Sequence, residues 1–135
     1  MKYMLIMNSP RDGYEQYMKW PQKILEANTA FMQAFSRKLR EAGELVSAAG
    51  LAAPDQARLV RAGKDGKPIT DGVFAESKEF LAGYWIIDVE NADRAFSIAA
   101  EASTAPGLPV TTADGRTVDH LWIEVRQLLG GHKDL

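Results

Sequence analysis

A chain of 135 residues with a formal charge of -2 is the size of one domain, and it buries roughly two-thirds of its unfolded surface without needing covalent staples. The absence of cysteine excludes disulfides, thiolate metal sites and a cysteine nucleophile. The near balance of acids and bases excludes the broad basic field that grips a phosphate backbone, so nucleic acid is not an expected partner.

Residues 2–7 are apolar on both faces, the pattern of a central strand covered on both sides. The apolar run 3–7 is too short for a signal or membrane segment, so a cytoplasmic protein without a membrane partner is expected. Residues 8–13 contain Pro10 and Asp12-Gly13 and read as a loop, and 14–20 as a short helical piece. From Pro21 onward Ile24, Ala27, Phe31, Ala34, Phe35, Leu39 and Ala42 recur at three- and four-residue steps, predicting an amphipathic helix that begins at proline and ends at Gly43.

Residues 45–51 are short and apolar, and 57–62 alternate up to Gly63-Lys64-Asp65-Gly66, a hairpin turn with its return over 67–70. Its basic residues Arg58, Arg61, Lys64 and Lys67 read as a solvated tip. Residues 80–89 form a long strand with Leu81, Gly83, Trp85 and Ile87 on one face. Asn91 caps a second helix over 92–102, with Ala95, Phe96, Ala99 and Ala102 as its apolar stripe. Asp114-Gly115 marks a further turn, and 120–128 alternate as the closing strand.

This order of elements predicts an α+β fold of ferredoxin-like, split βαβ type, with both helices on one face of a largely antiparallel sheet. Aromatic and aliphatic side chains on the other face favour a second copy packed sheet to sheet, hence a homodimer. One domain is expected over 1–129, with 130–135 as a frayed tail.

Asp71 before Gly72 is a turn former, and Phe74 would anchor that turn in the core. Read functionally, Asp71, Glu76, Lys78 and Glu79 make a charged cluster at the mouth of a cleft, with a carboxylate as general base and Lys78 holding an anion. His120, beside Asp119, is the ordered candidate for histidine acid–base work; a surface or dimer contact is its other reading, and neighbours in a strand point to opposite faces. Tyr14, Tyr17 and Trp20 could line a small-molecule pocket with Trp85 or Trp122, although packing of loop onto core explains them equally well. Asn28 interrupts the apolar face of the first long helix and needs a hydrogen-bond partner there. The candidate site is therefore Asp71 and His120 for catalysis, with Tyr17, Trp20, Asn28, Phe74, Glu76, Lys78 and Trp85 for binding. The two histidines, His120 and His132, have no spaced carboxylate partner, so no metal is expected. With no glycine-rich phosphate loop and no serine elbow, no cofactor is expected either.

The run Thr70-Asp71-Gly72-Val73-Phe74-Ala75-Glu76-Ser77-Lys78-Glu79, flanked by Gly66-Lys67 and Gly83-Tyr84, resembles the signature of the DGPF branch of the YCII-related protein family. The resemblance extends to Lys2-Tyr3-Met4-Leu5, to 39–43, to 88–95 and to Ile123-Glu124-Val125-Arg126, while Val73 replaces the usual proline. It implies a dimeric α/β barrel of ferredoxin-like subunits with a cleft near the dimer interface. Some relatives look like enzymes with a His-Asp pair built on an early histidine, which this chain lacks. A small organic ligand bound in the cleft, with cofactor-independent chemistry, is the expected function. The resemblance also implies two alternatives: a regulatory or protein-interaction module linked to an extracytoplasmic-function sigma factor, and a cofactor-free monooxygenase.

Overall fold

The computed structural model describes residues 1–72, 79–112 and 114–130. Along the chain come β1 (Lys2–Pro10), α1 (Gly13–Met18), α2 (Gln22–Glu41), β2 (Leu45–Gly50), a single 3-10 turn (Pro54–Gln56), β3 (Leu59–Ala62), β4 (Pro68–Asp71), β5 (Glu79–Asp88), α3 (Ala92–Ser103), β6 (Val110–Thr111), β7 (Thr117–Val118) and β8 (Ile123–Gln127). Four strands form the main sheet in the order β2-β5-β1-β8. β1 and β2 both run antiparallel to β5, so they are parallel to each other with β5 between them, and α2 makes the crossover. β5 and β8 flank β1 in the same way, joined through α3. This is the split βαβ arrangement of a ferredoxin-like α+β fold. β3 with β4 and β6 with β7 form separate hairpins.

The sheet's two faces differ. Tyr3 and Leu5 of β1 and Trp85 and Ile87 of β5 are buried against Phe35 and Leu39 of α2 and Ala95, Ile98, Ala99 and Ala102 of α3. Phe35 meets the edge of Trp85 at 5.6 Å between centroids and stacks on Phe31 at 5.9 Å, contacts that add to the burial of the rings. The alternate residues Met4, Ile6, Tyr84 and Ile86 are cross-strand partners on the opposite face. They are half-buried and lie outside that cluster.

The termini of the long helices are set by local chemistry. Gly43, just past α2, has φ +73, the left-handed region that glycine enters without a Cβ penalty and that ends the helix. Asn91 Oδ1 accepts the Arg94 amide hydrogen at 2.9 Å and caps α3. Arg94 in turn donates to both oxygens of Glu44, Nε at 2.8 Å and Nη2 at 2.7 Å, pinning the start of α3 to the turn before β2. The Arg94 hydrogen bonds hold the Glu44 carboxyl below its ordinary pKa.

Four expectations are corrected. Residues 8–10, expected in a loop, continue β1, because a bulge at Met7/Asn8 lets Asn8, Ser9 and Pro10 pair with Leu81, Phe80 and Glu79. The inward face of α2 is redrawn: Ala27, Ala34 and Ala42 are exposed, while Leu25, Met32 and Ser36 take inward positions beside Phe35, Leu39 and the expected Asn28. In α3, Phe96 is 54% exposed and Ile98 is fully buried, since the space between α3 and the sheet admits alanines and one branched side chain. The closing strand begins at Ile123, so His120 lies in the bend before it. Among the described residues no helix is long and apolar enough to cross a membrane. Of the tail expected over 130–135, residues 131–135, with His132 among them, lie outside the described residues.

Candidate functional site

A cleft of about 620 Å³ opens on the helix-covered side, between the first half of α2 and the end of α3. Its floor is sheet: Met7 of β1, Ala48 to Gly50 of β2, and the Leu81 to Trp85 stretch of β5. Where α2 stops covering the sheet, α1 and the loop after α3 take over.

That wall is tied together by specific contacts. Tyr17 and Trp20 lie 5.2 Å apart between ring centroids, and Tyr14 lies 6.4 Å from Tyr17. Gly107 backs directly onto the Trp20 ring; a Cβ there would sit 2.4 Å from Cη2, a distance that only glycine avoids. Asn28 Nδ2 donates to the Pro106 carbonyl at 2.8 Å, tethering the same loop to α2. Gln16 in α1 pairs with the main chain of Thr111 in both directions, donating to its oxygen and accepting from its nitrogen, each at 3.1 Å. Three short-range contacts thus hold a long loop across one end of the cleft.

The fold brings together six of the residues singled out from sequence. Tyr14, Tyr17, Trp20, Asn28, Trp85 and His120 all line this cleft. Asp119 lines it too: in a bend, neighbouring residues need not point to opposite faces as they would in a strand. Asp71 is elsewhere. It ends β4 on the exposed hairpin, where its Oδ1 accepts the Gly72 amide hydrogen at 2.8 Å, the turn-forming role. Glu79, at the start of β5, is exposed and is not part of the cleft wall. Phe74, Glu76 and Lys78 lie outside the described residues. Trp122 is 91% exposed and lines, with Phe96, an adjoining groove of about 440 Å³ that shares Ser103, His120, Leu121 and Ile123 with the cleft.

Sequence reasoning missed Met32 and Ser36, which line the cleft one and two turns beyond Asn28. The signal was available: Asn28, Met32 and Ser36 are spaced at four residues, so one polar residue turned inward implies the others. Leu108 and Val110 had no local signal, because their place depends on the tethers to Asn28, Trp20 and Gln16. Among the described residues no group of three or more His, Asp or Glu gathers as a metal site would require.

The model of the YCII-related domain matches residues 1–108. The chain belongs to the YCII-related domain family. An uncharacterised protein of Rhizobium meliloti (strain 1021) is 34% identical to it over 86 residues, which cover 64% of this chain and 69% of that protein. In this YCII-related domain the matched region carries Tyr17, Trp20, Asn28 and Trp85. The β6–β7 hairpin and β8 follow it, so Asp119 and His120 come to the cleft from beyond the matched region.

Proposed function

We propose that this YCII-related protein binds a small, largely apolar organic molecule in the cleft between α2 and α3. The supporting observation is the cleft itself: about 620 Å³, walled by Trp20, Tyr17, Met32 and Leu108, with a few polar groups such as Asn28 and His120 among them. Small-molecule sites have this size and this mixture of apolar wall and sparse polar contacts. The aromatic rings favour a flat ligand, and His120, whose imidazole can pass a proton, is the acid–base group for any reaction without a cofactor.

The working unit in this reading is a homodimer. Met4, Ile6, Tyr84 and Ile86 present apolar surface on one face of the sheet, and a second copy packed sheet to sheet removes it from water. Thermal melting with a panel of neutral aromatic and aliphatic metabolites tests the ligand reading, since a molecule bound only by the folded state raises the melting temperature with concentration. A rise for ring compounds, reduced when Trp20 is replaced by alanine, is expected; no rise across the panel contradicts it.

A further inference from the structure

The charge content of the cleft wall narrows what it can hold. Among the described residues, no lysine or arginine lines it, and the one acidic residue there is Asp119. An anion entering would lose water without gaining a lysine or arginine partner among the described residues, and it would meet the Asp119 carboxylate. Desolvating an unpaired charge costs several kcal/mol, on the order of a hundredfold or more in affinity when uncompensated.

Asn28 supplies the complementary fact. Its partner is the Pro106 carbonyl oxygen, which only accepts, so the amide nitrogen must face it and the orientation of the side chain is fixed. Asn28 Oδ1 then remains as an acceptor with no donor among the described residues, and the second Nδ2 hydrogen remains as a donor. A hydroxyl or amide group on a ligand uses both; an ether uses only the donor.

We propose that the cleft selects neutral ring compounds bearing a hydroxyl or similar donor and discriminates against carboxylates and phosphates, with Asn28 reading the donor. This rests on the ligand-binding reading above. The loop tether gives Asn28 a fixed position, so the selectivity is built in before the ligand arrives.

Three probes matched in ring position test it by isothermal titration against the full chain: naphthol, methoxynaphthalene and naphthoate. Naphthol is expected to bind most tightly, about two- to tenfold better than the methyl ether, the net value of one neutral hydrogen bond. Naphthoate is expected to bind at least about tenfold more weakly than naphthol. In Asn28→Ala the naphthol advantage over the ether disappears: the ether loses only the hydrogen bond it accepts from Nδ2, whereas naphthol loses that one and the one it donates to Oδ1. Equal loss of both would mean that Asn28 acts only through the loop and would overturn its reading role. Naphthoate binding as tightly as naphthol overturns the charge selectivity and leaves the cleft as a binding site. No binding by any of the three overturns the ligand-binding reading and this inference together.

Discussion

The two faces of the one sheet are built from alternate residues of the same strands, yet they end in different states. On the helix side, Leu5 and Ile87 have no exposed surface, and where the helices part the same side opens into the cleft. On the other, their neighbours Met4, Ile6, Tyr84 and Ile86 are half-buried and outside the core cluster. The difference teaches that one face is satisfied within the chain and keeps a cavity, whereas the other carries apolar surface suited to a partner. Stability should therefore depend on the first face and assembly on the second.

The largest effect that could break this comparison is a core truncation. Leu5→Ala should cost about 2–5 kcal/mol in denaturant unfolding, through lost transfer energy and the cavity left behind. Ile86→Ala, one strand across on the open face, should cost clearly less in a monomer; equal losses would mean that the faces are not distinct. Next, Ile86→Asp should convert a dimer to a monomer in sedimentation equilibrium while far-ultraviolet circular dichroism stays unchanged. A wild-type chain that sediments as a monomer would remove the assembly half of the comparison.

Gly107→Ala sharpens the cleft half. Alanine in a loop ordinarily reduces the entropy of the unfolded chain and stabilises slightly. Here the methyl group meets Trp20 at 2.4 Å, so either the loop or the ring must move, and a net loss of about 1–3 kcal/mol is expected. A changed near-ultraviolet tryptophan signal should accompany it, and an unchanged signal with raised stability would deny the close packing of loop and ring.

The smallest effect lies at the Glu44–Arg94 pair. Because the folded-state pKa of Glu44 is lowered, its contribution is fully present above the unfolded glutamate value of about 4.3 and is lost as pH falls through the folded value. With the Arg94 and Glu44 side chains 41% and 17% exposed, solvent screening keeps the pair near about 1 kcal/mol. The stability gap between wild type and Glu44→Gln should therefore be present at neutral pH and shrink in acid. A gap that grows on acidification would contradict the assigned shift.

Much of this fold was legible because its signals are local. Gly43 after the α2 repeat, Asp65-Gly66 between alternating runs and Asn91 before α3 each mark a boundary by their own backbone or side-chain chemistry, and the structure has them in those places. The full inward face of α2 was not legible in the same way. Counting apolar residues found Phe35 and Leu39 but also favoured Ala27 and Ala34; alanine has little to gain from burial, and the sheet instead took Met32, with Ser36 inward beside Asn28. Phe96 and Ile98 exchanged roles for a packing reason that no single-helix pattern contains. The aromatic wall of the cleft could be named from the spacing of Tyr14, Tyr17 and Trp20. Its closure by residues 105–110 could not, because the contacts to Trp20, Asn28 and Gln16 span 78 to 95 positions in the chain.

The most direct measurement is amide and indole chemical-shift mapping of the protein titrated with naphthol. Perturbations gathered at Trp20, Asn28, Gly107 and His120, with Met4, Ile6 and Ile86 unmoved, are the predicted result. Shifts confined to the open face of the sheet, or none at saturating probe, would contradict the assignment of the cleft as the ligand site.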